Sequence, residues 1–355
     1  MPDWTKSMKQ TYEYYIVDPI SWNDKTPIRN VKSCSVNWDL SAQTLGSASI
    51  DTTEDIGECY IRPYLVTIQN GKTEKFCLGT FLVQTPSATF DGKSSSVTLD
   101  AYTPLLELKD TQPPLGYTIL KGENVMDNVY KLVSEHTRAP VTENKNDALL
   151  IQDFVADVDD SWLTYSTDLM TYAKLSFSLD ERCRILFAPT TQVEKMQPVW
   201  TYADDNCSIL LPEITVDRDL YGIPNVVQVI YSTSNGTPIY CEIVNNDPNS
   251  PTSTVNRGRR VTHRDSNPSF KGEPNEMMVQ EYATNLLESL STLEYTLSYT
   301  HGYNQVRIGD CVRFNYRRAG LMDIKAKVTT QKIKCESGCL VEETAAFTTK
   351  LWEGK

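Results

Sequence analysis

The sequence predicts a strand-rich α+β protein of several domains, and three observations carry that prediction. Short segments with apolar residues at every second position fill residues 11 to about 110. The period then changes from two to about 3.6 beyond Gln112-Pro-Pro-Leu-Gly116, a run that continues neither strand nor helix comfortably. At 355 residues the chain is also too long for one ordinary core.

The first β domain is expected over residues 1–110. Tyr12–Val17, Ser33–Trp38 and Gly46–Asp51 are short alternating segments. Tyr64–Gln69 meets Lys75–Val83 across Asn70-Gly71, a residue pair that tolerates positive φ in a tight hairpin. A second hairpin is predicted at Asp91-Gly92. In Ser96–Tyr102, Val97, Leu99 and Ala101 fall on one face and Thr98, Asp100 and Tyr102 on the other, so one side is packed. The expected form is a small antiparallel barrel or sandwich.

An α/β domain follows over 111–215. Val125, Val129, Leu132 and His136 share a helical face, with His136 at the helix end as a satisfied or dipole-facing histidine. A second helix is predicted near Ser166–Leu175, then a hairpin over Ser176–Phe187 turning at Asp180-Glu181. Asn225–Tyr231 opens a second β domain, expected over 216–242 plus 294–355 and split by an insertion at 243–293. Within that insertion, Asn245 to Glu273 is dense in Asn, Pro, Ser, Thr and Gly and carries Arg257, Arg259, Arg260, His263 and Arg264. It reads either as a partner-binding loop or as a solvated mobile insertion. The next helix places Met278, Tyr282, Leu286, Leu290 and Leu293 on one apolar stripe, a core or subunit face. Strands are expected at Glu294–Tyr299, Cys311–Tyr316 and Ile324–Lys334, with Gly309-Asp310 supplying the turn between the first two.

Composition narrows the function classes. A hydrophobic fraction of 40%, a charged fraction of 23% and 19 tyrosines describe a folded chain with many amphipathic positions. The net charge of -12 opposes general affinity for nucleic acid or anionic membrane. There is no run of 18 apolar residues, and Met-Pro-Asp-Trp-Thr-Lys has no basic stretch followed by an apolar one, so membrane insertion is not expected and assembly in the cytoplasm is. Nine cysteines, odd in number and scattered over strand-like segments, are unlike a secreted disulfide framework. Cys335 and Cys339 are the only close pair, and a hairpin with two small residues explains them better than a metal site.

Catalytic chemistry is not evident. No Gly-rich phosphate loop, zinc-protease helix or nucleophile elbow is present, and His136, His263 and His301 have no metal-ligand spacing. The acidic pairs Asp159-Asp160 and Asp204-Asp205 sit in loop-like runs. Cys311 could in form be a nucleophile beside His301, but its alternating strand calls for a buried thiol. Trp4, Trp162, Trp200 and Trp352 could build a carbohydrate platform, although scattered tryptophans more often lock packed regions together. The expectation is no catalytic residues, no cofactor and no metal.

The tract Val97–Asp110 leading into Gly122–Val133 joins a strand to a helix as a phage tail hub does. Together with Leu78–Pro86, Ile214–Val229 and Tyr303–Phe314, in that order and spacing, it makes the chain resemble the baseplate hub proteins of contractile phage tails and the PBSX-like prophage tail proteins. The resemblance spans nearly the whole chain, and the long 245–273 stretch departs from it. It implies two tube-like antiparallel β-barrel domains with an α/β domain between them. It also implies a homotrimeric ring in the virion baseplate or a contractile injection system, adapting a sixfold tail tube to a threefold spike. Implied partners are further copies of the chain, the tail tube or distal tail protein, the central spike and the tape measure protein. Some relatives add a peptidoglycan hydrolase domain after the hub, for which no room is expected before Lys355. The competing classes are a tail-associated peptidoglycan hydrolase, endopeptidase or lysozyme-like, and a glycan-binding tail protein.

Charge distribution adds an interface expectation. Between His301 and Cys335, eight lysines and arginines oppose Asp310 and Asp323, a local charge of +6 in an acidic chain. Alternation puts Lys325 and Lys327 on one exposed strand face and Ile324, Ala326 and Val328 on the other. The candidate interface residues are Arg307, Arg313, Lys325, Lys327 and Lys332, with Arg257, Arg259 and Arg260, facing acidic surface on a neighbour or simply solvent.

Overall fold

The structure is a computed structural model that describes residues 1–354 except 91, 94, 234–235 and 271–273. Strand accounts for 44% of the chain and helix for 15%, as a strand-rich α+β protein requires. Two compact units are formed, Met1–Ile214 with Ser298–Ala345, and Thr215–Leu297 with Ala346–Lys355.

The first unit opens with eight strands: β1 (Lys9–Val17), β2 (Asp24–Ile28), β3 (Val31–Asp39), β4 (Gly46–Thr52), β5 (Tyr60–Gln69), β6 (Lys72–Cys77), β7 (Phe81–Phe90) and β8 (Ser95–Tyr102). A mixed segment follows, with α1 (Leu105–Asp110), β9 (Thr118–Ile119), α2 (Val125–His136), β10 (Phe154–Val155), α3 (Trp162–Thr171), β11 (Leu175–Leu179), β12 (Ile185–Pro189) and β13 (Trp200–Ala203). Next come β14 (Leu210–Arg218), β15 (Val226–Ser232), β16 (Pro238–Val244), α4 (Thr254–Arg257), β17 (Thr262–Ser266) and α5 (Glu276–Leu290). The chain ends with β18 (Thr292–Gly302), β19 (Cys311–Tyr316), β20 (Leu321–Lys334) and β21 (Leu340–Lys350). The unit boundaries fall inside β14, β18 and β21.

In the first unit, pairing runs from β20 through β3, β4, β8, β7 and β5 to β1 and β2, with β6 on the side of β5. The path is open, and no closed barrel is seen among the described residues. Its core holds Val36, Ile50, Ile61, Leu65, Phe81 and Leu99. Val97, Leu99 and Ala101 of β8 are buried as alternation demands. Asn70 and Gly71, with φ of 51° and 76°, turn β5 into β6. Asp91 of the second predicted turn lies outside the described residues, while β7 and β8 pair antiparallel up to Phe90 opposite Ser95. The segment read as one strand, Lys75–Val83, is interrupted. Gly79 has φ +138°, and a Cβ there would stand 2.5 Å from the Phe81 ring, so only glycine permits the bend that seats Phe81 in the core.

A second cluster of the same unit forms around α2 and α3, where Val125, Val129, Leu132, Leu163 and Leu169 are buried. Asn124 caps α2 by accepting from the N–H groups of Met126 and Asp127. Ser161 and Thr164 form a capping box that starts α3 at Trp162, four residues before the predicted position. His136 stacks on Trp162 with centroids 4.5 Å apart. The expected hairpin is formed by β11 and β12, with the Asp180 carboxylate accepting from the N–H groups of Arg182 and Arg184 across the turn.

In the second unit, β16, β15 and β17 form a three-stranded sheet, β17 running parallel to β15. The stretch from Asn245, read as loop, therefore contains a helical turn and a strand. Buried Asn225 holds it in place: its Nδ2 donates to the carbonyls of Thr252 and Arg259, and its Oδ1 accepts from Val261. Helix α5 packs on this sheet through Val279, Ala283 and Leu287, not through the predicted stripe. Met278 is exposed, and Tyr282, Leu286 and Leu290 lie at the flanks. The small Ala283 brings the helix close to Val227 and Val229, and that contact sets the buried face.

Candidate assembly interface

The turn between β18 and β19 is built by Gly309, at φ +86°, and by the Asp310 carboxylate, which accepts from the Arg307 N–H at 2.9 Å. It positions Arg307, whose guanidinium pairs with Glu181. Burial holds the Arg307 guanidinium below its ordinary range and pushes the Asp310 carboxyl up. Arg307 and Lys327 line a cavity of about 1030 Å³ in the first unit, together with Trp38, Phe76, Phe177 and Tyr303.

The strand face predicted to be free is therefore partly engaged. Ala326 and Val328 are buried as expected, but Lys325 and Lys327 are half-buried rather than exposed. Lys325 Nζ donates to the carbonyls of Met196, at 2.9 Å, and Glu194, at 3.3 Å, closing the 3-10 turn Val193–Lys195. Arg313 faces Asp323 at 3.3 Å. Lys332 is the exposed member of the set.

The second basic group lies in the other unit. Val227, Val229 and Tyr231 face α5, so Gln228 and Ile230 occupy the opposite side of the sheet, in register with Glu242 and Tyr240 on β16. Arg260 pairs with Glu242 at 2.6 Å, and Arg264 Nε donates to Gln228 at 2.8 Å. The Arg260 hydrogen bond, with that of Gln228, holds the Glu242 carboxyl down at about 2. Arg257 is turned inward onto the carbonyls of Ile223 and Leu220, whereas Arg259 is exposed.

A buried polar cluster was not foreseen. Glu343 accepts from Tyr299 at 2.7 Å, from Gln331 at 2.5 Å and from Tyr202 at 3.3 Å, and its Oε2 lies 3.2 Å from His301 Nε2. His301 Nδ1 lies 2.7 Å from the Gly302 carbonyl oxygen, which only accepts, so Nδ1 carries a proton. Burial alone would raise the Glu343 carboxyl, but the charge of His301 and the hydrogen bonds around it prevail and hold it below the usual range. Both side chains are fully buried, so the pair is closed to substrate.

The other candidates resolve in the same direction. Cys311 is buried, and the nitrogens of His301 are occupied by the cluster just described. Asp160 and Asp205 accept N–H groups of their own turns. Trp162 is buried, Trp4, Trp200 and Trp352 are half-buried, and Trp4 packs on Phe76 and Tyr303, so the four form no exposed platform. Among the described residues no group of three or more His, Cys, Asp and Glu is placed to hold a metal ion, and no helix is long and apolar enough to cross a membrane.

The solved structures supply the comparison that decides the fold. A tail protein from Neisseria meningitidis MC58 superposes with a TM-score of 0.61 at 14% identity, over 95% of this chain and 96% of that one. The 43 kDa tail protein of prophage MuSo2 from Shewanella oneidensis gives 0.60 at 10% identity, over 95% and 98%. This chain has the tail-protein fold. No protein-family model matches the sequence and no curated protein matches it. The agreement extends over nearly the full length of both partners and is not confined to one shared sheet.

Proposed function

We propose that the chain is a structural hub of a phage tail or phage-tail-like particle. Three copies would form a ring in the baseplate that adapts a sixfold tail tube to a threefold spike or tip. The observation that carries this reading is the fold shared over 95% of the chain with two tail proteins. The finer division belongs to the same proposal. Residues 1–110 and 216–242 plus 294–355 act as two tube-like domains, 111–215 as the α/β domain between them, and 243–293 as the insertion. Three chains would then offer six similar domains to the tube while keeping threefold symmetry below. Partners on this reading are further copies of the chain, the tube or distal tail protein, the central spike and the tape measure protein, with assembly in the host cytoplasm. Arg307, Arg313, Lys327, Lys332, Arg259 and Arg260 are the contact residues proposed for these neighbours.

The test is to mix the purified chain with the tail-tube protein of its own particle and image the product by negative-stain electron microscopy. Tubes capped at one end by threefold rings are expected. Bare tubes beside active digestion of purified cell wall would replace this reading with a hydrolase.

A further inference from the structure

We infer that the ring is closed by one specific contact between copies: the arginine-bearing sheet face of the second unit in one copy seats on an acidic, apolar surface of the first unit in the next. The inference rests on the trimer proposed above and names the two surfaces that meet.

The acidic surface is built by β9, β10 and the segment leading to α3. The Gly122 N–H donates to the Leu150 carbonyl, Leu150 donates back to Glu123, and Ile119 pairs with Phe154, so residues 118–123 lie against 149–155. That pairing leaves apolar side chains outside. Ile151 is 72% and Val158 77% exposed, and Leu120, Leu149 and Val155 are each more than half exposed. Carboxylates surround them: residues 141–160 hold six acidic side chains against Lys145, a net charge of -5. The crowding reaches Asp168, whose carboxyl is raised by burial and then by Asp160 and Asp157. Exposed apolar side chains grouped on paired segments and rimmed by a surplus of carboxylates are the surface signature of a protein partner.

The complementary surface is on the same chain. Residues 254–266 carry four arginines against Asp265, a net charge of +3 in a chain of -12. Beside them, on one sheet face, Tyr240 is 56% and Ile230 41% exposed. The guanidiniums of Arg260 and Arg264 are held by Glu242 and Gln228, so little side-chain entropy remains to be lost on contact. Exposed ion pairs alone contribute little, so the apolar side chains on both surfaces supply affinity and the charges supply register and rate. Because the two surfaces differ, the contact is head-to-tail and satisfies every copy only if the ring closes.

The test is sedimentation velocity at about 0.15 M salt on the wild type, on Arg259→Glu/Arg264→Glu, on Asp157→Lys/Asp159→Lys and on the fourfold combination. All four positions are exposed, and none of their side chains is in an ion pair among the described residues. Each double reversal should weaken association by about 100-fold or more, and the combination should return to within about 10-fold of wild type. Restored assembly also excludes misfolding as the cause of the loss. A wild-type trimer that neither reversal weakens, or a combination that is not restored, overturns the inference and leaves the trimer standing. A wild type that stays monomeric at every concentration overturns both.

Discussion

At the residue scale, Glu343 is where pH reaches the fold. Its folded carboxyl lies below the ordinary glutamate value of 4.5, so the stability it contributes is fully present above that pH. That contribution is lost as pH falls through the lower folded value. Glu343→Gln leaves His301 without its carboxylate and should cost about 3 kcal/mol at neutral pH, read by urea unfolding. The same variant should lose the acid step in stability below about pH 4.5, and an unchanged step would assign it to other carboxylates. Arg62 is a second buried charged residue on which the fold depends. Its side chain is fully buried and bonded to Thr80, Asp24 and the Trp22 carbonyl, so Arg62→Met should destabilise by about 1–3 kcal/mol in urea unfolding, by leaving Thr80 and the Trp22 carbonyl without their buried donor. Neither group could be read from sequence. Tyr202 is 99 residues from His301 and 141 from Glu343, and nothing local marks such an encounter. Asn70-Gly71 was legible because its chemistry lies in its own φ angles.

At the element scale, alternation found β8 and both strands of the β11–β12 hairpin, since each buries one face. It missed β14, whose burial does not alternate, and displaced the packed face of α5 by one residue. Large apolar side chains such as Met278 draw a pattern reader's eye, whereas the contact belongs to Ala283 because it is small. Leu287→Ala should therefore cost about 2–5 kcal/mol in unfolding of the second unit, and Met278→Ala less than about 1 kcal/mol. Equal losses would put the face back where the sequence suggested. The basic strand separates similarly. Lys325→Glu should destabilise the fold by releasing the Glu194 and Met196 carbonyls, while Lys332→Glu should leave the melting temperature within about 2 °C. Thermal unfolding of the two variants side by side decides this, and equal shifts would contradict the assignment of Lys325 to the 3-10 turn.

At the scale of the whole molecule, strand-rich character and the tail-protein resemblance were both legible, because they depend on the order and spacing of many elements. The order built into 245–273 was not legible. An Asn- and Ser-rich composition reads as loop until Asn225, outside that stretch, supplies the hydrogen bonds that fix it. How copies of the chain associate lies beyond pattern altogether, since surface charge constrains neighbours without naming them. The central claim is a ring of three, and the solution mass by light scattering tests it most directly. Three copies of 40.1 kDa predict about 120 kDa, independent of dilution above the dissociation constant. A single species at 40.1 kDa, unchanged at high concentration, would contradict it.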